Sequence, residues 1–94
     1  MREKVFVEEK EHYNSRLDFY KKEVETETKN VESARLRVTI LTEIASSLTS
    51  GPGKFILDND IDSARNVLVE AQKNLTHARG NVKAFESIVE AFES

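Results

Sequence analysis

The sequence predicts an all-α fold: two long helices folded back on each other as an antiparallel coiled-coil hairpin. Three observations lead there. A seven-residue apolar repeat runs through both halves of the chain, a single Gly-Pro-Gly stretch separates the halves, and charged residues (33%) nearly match hydrophobic ones (38%). Such a balance suits helices with a narrow apolar seam better than a globule with a thick centre.

In the first half, one seam position holds Lys10, Leu17, Val24, Val31, Val38 and Ala45. The other holds Phe6, Tyr13, Tyr20, Glu27, Ala34, Leu41 and Leu48. Only Lys10 and Glu27 interrupt it. The repeat sets a helix over 3–49. Its weakest stretch is Glu25-Thr26-Glu27-Thr28, where β-branched and charged residues meet. A break there, with the N-terminal part packing back as a third helix, is the alternative to one straight helix.

Residues 50–59 are expected to form the connection. Gly51 suits the left-handed position after a helix, and Pro52 forbids continuation. Asp58-Asn59-Asp60 offers N-cap oxygens ahead of Ile61. Phe55, Ile56 and Leu57 are expected to plug the hairpin end, or else to form an exposed tip. The second helix, 60–93, keeps the repeat without a miss. Ile61, Leu68, Leu75, Val82 and Val89 alternate with Ala64, Ala71, Ala78, Phe85 and Phe92.

Folding at a loop of that length sets Leu41 against Leu68, Val38 against Ala71, Val31 against Ala78 and Leu17 against Phe92. Several layers then set a large residue against a small one, as interdigitating layers require. It also leaves about 14 residues of the first helix overhanging, or ~20 Å at a 1.5 Å rise. That overhang carries Phe6 and Tyr13. Phe19 and the stripe Leu36, Ile40, Ile44 fall off the seam, as do Val67 and Ile88 on the second helix. Contiguous exposed apolar residues mark an interaction surface. The whole chain, 1–94, is therefore read as one helical domain that assembles into a four-helix bundle or a larger homo-oligomer.

Composition narrows the function. The formal net charge is -3, with 14 basic and 17 acidic residues interspersed, so no basic excess favours nucleic acid. With no cysteine, disulfides, thiol catalysis and Cys-ligated zinc are excluded. No apolar run approaches the ~20 residues of a membrane span. Met1-Arg2-Glu3-Lys4 opens into charged sequence with no apolar signal region. These features predict a cytoplasmic location and no membrane.

No constellation carries catalysis. Asp58-Asn59-Asp60-Ile61-Asp62 opens like a calcium loop, but Ser63 stands where Gly is needed and Val69 where the bidentate Glu belongs. Ser50-Gly51-Pro52-Gly53-Lys54 lacks the phosphate-loop spacing. Glu9-Lys10-Glu11-His12 has one metal-bundle spacing without a second copy. His12 and His77 fall on outward positions. Glu27 is expected to pair with Arg79 or Lys83 beside the seam.

The expected function is a non-enzymatic interaction protein (an adaptor, assembly factor or small inhibitor) that binds itself and a further protein and needs no cofactor or metal. The partner-binding candidates are Phe6, Tyr13, Phe19, Leu36, Ile40 and Ile44. Lys54, Phe55, Asp58 and Asp60 form the hairpin tip. The alternative is an oligomer that sequesters a small anionic or aromatic ligand between subunits, with Tyr13, Arg16 and Tyr20, or Arg35 and Arg37, as its lining.

Overall fold

The computed structural model describes all residues, Met1–Ser94. Two helices, α1 (Arg2–Ser46) and α2 (Pro52–Glu93), pack against each other along their length as an antiparallel hairpin. The result is a rod of 74 × 15 × 13 Å. Helix α1 runs unbroken through Glu25–Thr28, where the Thr28 hydroxyl donates to the Val24 carbonyl at 2.7 Å. The three-helix alternative is therefore not adopted. Local propensity at four residues is outweighed by an apolar seam that continues on both sides.

The connection is shorter than expected, and this is the main correction. Helix α1 stops at Ser46, three residues before Thr49. There the hydroxyls of Ser46 and Ser47 donate to the Glu43 and Ile44 carbonyls at 2.6 and 2.7 Å. Such local bonds offer the chain an alternative to the helical ladder. Helix α2 begins at Pro52, eight residues before the expected Asp60. Pro52 acts as a start signal: its fixed φ suits the first helical turn, and its missing N–H would have no helical partner there. Gly51 has positive φ, as expected, but as the N-cap of α2 (φ 105°, ψ -178°) and not in the left-handed position closing α1. A residue before proline is pushed to extended ψ, and only glycine combines that ψ with positive φ.

The shorter loop slides the helices by one heptad. Leu17 packs with Phe85 and Val89, and Val31 with Ala71 and Leu75. The expected partners, Phe92 and Ala78, lie about seven residues further along. A shift of one full repeat keeps every seam residue on its face while changing its partner. The overhang contracts accordingly. Phe6 reaches Phe92, with ring centroids 5.4 Å apart, and Tyr13 lies between Phe85 and Phe92 at 6.2 and 5.8 Å.

The core is thin. Eleven residues are buried, five of them alanines (Ala34, Ala45, Ala64, Ala71, Ala78), and no side chain is more than 98% covered except on Ala64. Alanine lets two helices approach closely but contributes little apolar area of its own.

Candidate interaction surfaces

Close packing through small residues leaves a shallow trough along one side of the seam. Its floor is Ala34 and Ala71, with Val67 beside them, and its rims carry Glu27, Asn30, Ser33 and Arg37 from α1 and Glu70 and Asn74 from α2. It continues toward the open end of the hairpin past Tyr20, Glu23, Ala78 and Asn81. Helical spacing extends the same face in both directions. Ile40 lies one heptad beyond Ser33, Ile44 one heptad beyond Arg37, and Phe19 two heptads before Ser33. Phe19, Ile40 and Ile44 are all exposed, as the sequence suggested, at 57%, 48% and 54%. Leu36 is exposed too, further round the helix. Ile88, expected off the seam, instead packs against the Leu17–Phe85–Val89 cluster and is half-buried.

The opposite side of the seam is polar. Thr28, Glu32, Arg35, Gln72, Thr76 and Arg79 line one groove there. Nearer the loop, Lys54, Asp58, Asp62 and Arg65 line another. Arg35 and Arg37 therefore sit on opposite sides of the rod and do not line one pocket. The two ion pairs of the chain both lie near the loop: Lys54 to Asp58 at 3.6 Å and Arg65 to Asp62 at 3.9 Å. Glu27 pairs with neither Arg79 nor Lys83. It accepts a long hydrogen bond from the Asn30 amide, 3.4 Å, at the edge of the trough.

The tip residues separate. Asp58, Asn59 and Asp60 lie inside α2 and cap nothing, which also removes any calcium-loop geometry. Lys54 and Asp58 meet on the polar side. Asp60 falls two residues beyond that pair, at a helical position shared with Val67 and Asn74 of the trough. Phe55 and Ile56 do not plug the hairpin end but stand exposed at 68% and 58%, while Leu57 is half-buried. Helical geometry explains this: of three consecutive residues, only one can face the partner helix.

At the open end, sequence reasoning missed a ladder of rings. Tyr20 stacks on Phe85 at 5.2 Å, followed by Tyr13 and then Phe92 and Phe6, and the Arg16 guanidinium lies 4.4 Å above the Phe85 ring. Cation–π and stacked contacts of this kind add to plain burial. Phe6 and Tyr13, expected in a free overhang, spend their rings on these intrachain contacts, although Phe6 remains 44% exposed. The heptad-spaced aromatics at 6, 13, 20, 85 and 92 were visible, but only the correct register brings them together.

No cluster of three or more metal-ligating side chains occurs, and no helix is long and apolar enough to cross a membrane. No family model, curated protein or solved structure matches the chain.

Proposed function

We propose that this chain is a non-enzymatic helical interaction module, a coiled-coil hairpin that self-associates and docks a protein partner in the cytoplasm. One observation carries the reading: the side chains left in water are larger than those in the core. Phe19, Leu36, Ile40, Ile44, Phe55, Ile56 and Val67 are all at least 48% exposed, while nearly half of the buried set is alanine. Ile40, Ile44 and Val67 share the trough face, exposed apolar residues of the kind that mark an interaction surface, and a chain this short gains stability by covering them. On this reading Phe19, Ile40 and Ile44 serve self-association. Leu36 and Phe55, which point elsewhere, remain for the further protein.

The test is native mass by light scattering over a concentration series. The expected outcome is a mass of two chains or more, against 10.7 kDa for one. Ile40→Asp is expected to lower that mass while leaving the helical circular dichroism signal intact. A single-chain mass at every concentration would sink the self-association reading, and collapse of the helical signal in the variant would place Ile40 in the core of the hairpin.

A further inference from the structure

We propose that the hairpin has a second register, one heptad along the rod, in which about two turns at the start of α2 unwind into the loop and Asp58 caps a shortened helix. Three features of the single chain support it, and none depends on self-association.

The first is the sameness of the seam under that shift. Moving α2 by seven residues sets Ala71, Leu75 and Ala78 where Ala64, Leu68 and Ala71 now stand. Val31, which packs on Ala71 and Leu75, then meets Ala78 and Val82. The rings share the period. Phe92 takes the place of Phe85, against Tyr13, Tyr20, Leu17 and the Arg16 guanidinium. Knobs return to holes of the same kind, so the middle of the rod hardly distinguishes the two registers.

The second is a spare helix start. No residue of the segment 52–58 is buried, and Phe55 and Ile56 stand exposed. Gly51 makes no side-chain bond to the helix it caps, and the first turn holds no acidic residue. Seven residues after Gly51 stands Asp58, whose carboxylate is among the preferred caps, and buried Ile61 follows. The chain thus carries two starts for α2, one at a proline and one at an aspartate, spaced by the repeat of the seam.

The third is where the registers differ. In the shifted one Phe6 loses Phe92 and Val89 leaves Leu17. Phe85 replaces Ala78, which now lines a groove with Tyr20 and Glu27. A ring there desolvates the Glu27 carboxylate without pairing it, whereas in the observed register that group sits half-buried with the Asn30 amide. A polar residue in an apolar seam sets register in this way. Glu27 and the contacts of Phe6 and Val89 therefore hold the observed register as the favoured one. The shift carries α2 about 10 Å at the helical rise. It moves Phe55 and Ile56 from helix into loop and uncovers Phe6 at the far end of a 74 Å rod. A ligand that prefers one register at either end thereby alters the other end.

The chain has no cysteine, so engineered pairs report register from a clean background. By the repeat, Val38 stands against Ala64 as Val31 stands against Ala71. Val38→Cys with Ala64→Cys reports the observed register. Val38→Cys with Ala71→Cys reports the shifted one, because Ala71 lies about 10 Å further along α2 and a disulfide spans at most ~7 Å between Cα atoms. Val38→Cys with Ala78→Cys, a further heptad away, bridges only through unfolding. The full-length double variants are oxidised mildly at low concentration and resolved by mass, so that only disulfides within one chain count. The 38–64 bridge is expected to form fastest, and the 38–71 bridge at least tenfold faster than 38–78. Glu27→Tyr continues the ring ladder by one heptad and gives Phe85 a stacking partner in the shifted register. It is expected to speed 38–71 bridging at least fivefold and to leave 38–78 unchanged. A 38–71 bridge no faster than 38–78 overturns the second register. So does a Glu27→Tyr protein in which the 38–71 rate stays the same or rises only in step with 38–78. A protein in which 38–64 is not the fastest bridge does not favour the observed register, and that also overturns the proposal.

Discussion

The two ends of the rod hold their seams with different residues, rings at the open end and mostly small side chains at the loop end. At the open end, rings close the seam: Tyr13, Tyr20, Phe85 and Phe92 stack beside Leu17 and Val89, while Val5, Phe6, Val7 and Phe19 stay exposed. At the loop end, Ile61 and the alanines Ala45 and Ala64 hold the seam, while Ile40, Ile44, Leu48, Phe55 and Ile56 remain exposed. The open end, farthest from the covalent connection, thus buries the larger side chains, although Ala45, Ile61 and Ala64 near the loop are covered at least as fully. Loop closure explains the division. Near a five-residue turn the helices are held together by the chain itself, whereas the free ends must be held by side-chain contacts. Apolar residues near the loop are consequently available for contacts beyond the hairpin.

The strongest way to break this comparison is Phe85→Ala. Phe85 is buried and touches Tyr13, Tyr20 and the Arg16 guanidinium, so its removal opens a cavity and ends the ring ladder. A loss of about 3–5 kcal/mol is expected, a large share of a small domain's stability. Urea denaturation followed by circular dichroism measures it. A loss below about 1 kcal/mol would mean that the rings are ornamental and the loop end carries the hairpin.

The same two ends show how far the sequence could be read. The helical class, the hairpin, the seam residues and the exposed stripe at Leu36, Ile40 and Ile44 all follow from periodicity, because period decides which face a side chain occupies. Register does not follow from it. Sliding the helices by seven residues returns every seam position to the seam, and both registers set apolar residues against apolar residues. What separates them is loop length, and that turned on reading Pro52 as a stop and Asp58-Asn59-Asp60 as a cap. Proline serves equally well at the first position of a helix, and a carboxylate caps only when nothing upstream starts the helix first. The aromatic ladder and the trough beneath Glu27 and Arg37 were hidden for the same reason, since both exist only in the observed register.

Glycine substitutions sharpen the contrast between the loop and the rod, with opposite signs. At Gly51 no atom lies within 4 Å of an added Cβ, so the cost of Gly51→Ala is purely conformational. Its φ of 105° with ψ near 180° belongs to a region open essentially to glycine alone, and a loss of about 1–3 kcal/mol is expected. Gly80 lies within α2 with nothing near its added Cβ. Gly80→Ala is expected to raise stability by about 0.5–1 kcal/mol, the usual gain of alanine over glycine in a helix. Matched thermal melts of the two variants would show it. Equal effects of one sign would place Gly51 in an ordinary backbone conformation and undo the account of the turn.

The smallest expected effect is at the loop end itself. Lys54 and Asp58 form the closer of the two ion pairs, one helical turn apart on α2, with side chains 36% and 55% exposed. An exposed pair of this spacing contributes at most a few tenths of a kcal/mol, because solvent screens it and two flexible side chains must be ordered to make it. Lys54→Ala should therefore change the urea midpoint by less than the equivalent of about 0.5 kcal/mol, and should do so equally at low and high salt once the pair is gone. A loss several times larger would show that the polar groove of Lys54, Asp58, Asp62 and Arg65 acts as a cooperative network holding the turn. The loop end would then be held by its charges as the open end is held by its rings, and the division between a packed end and an available end would fail.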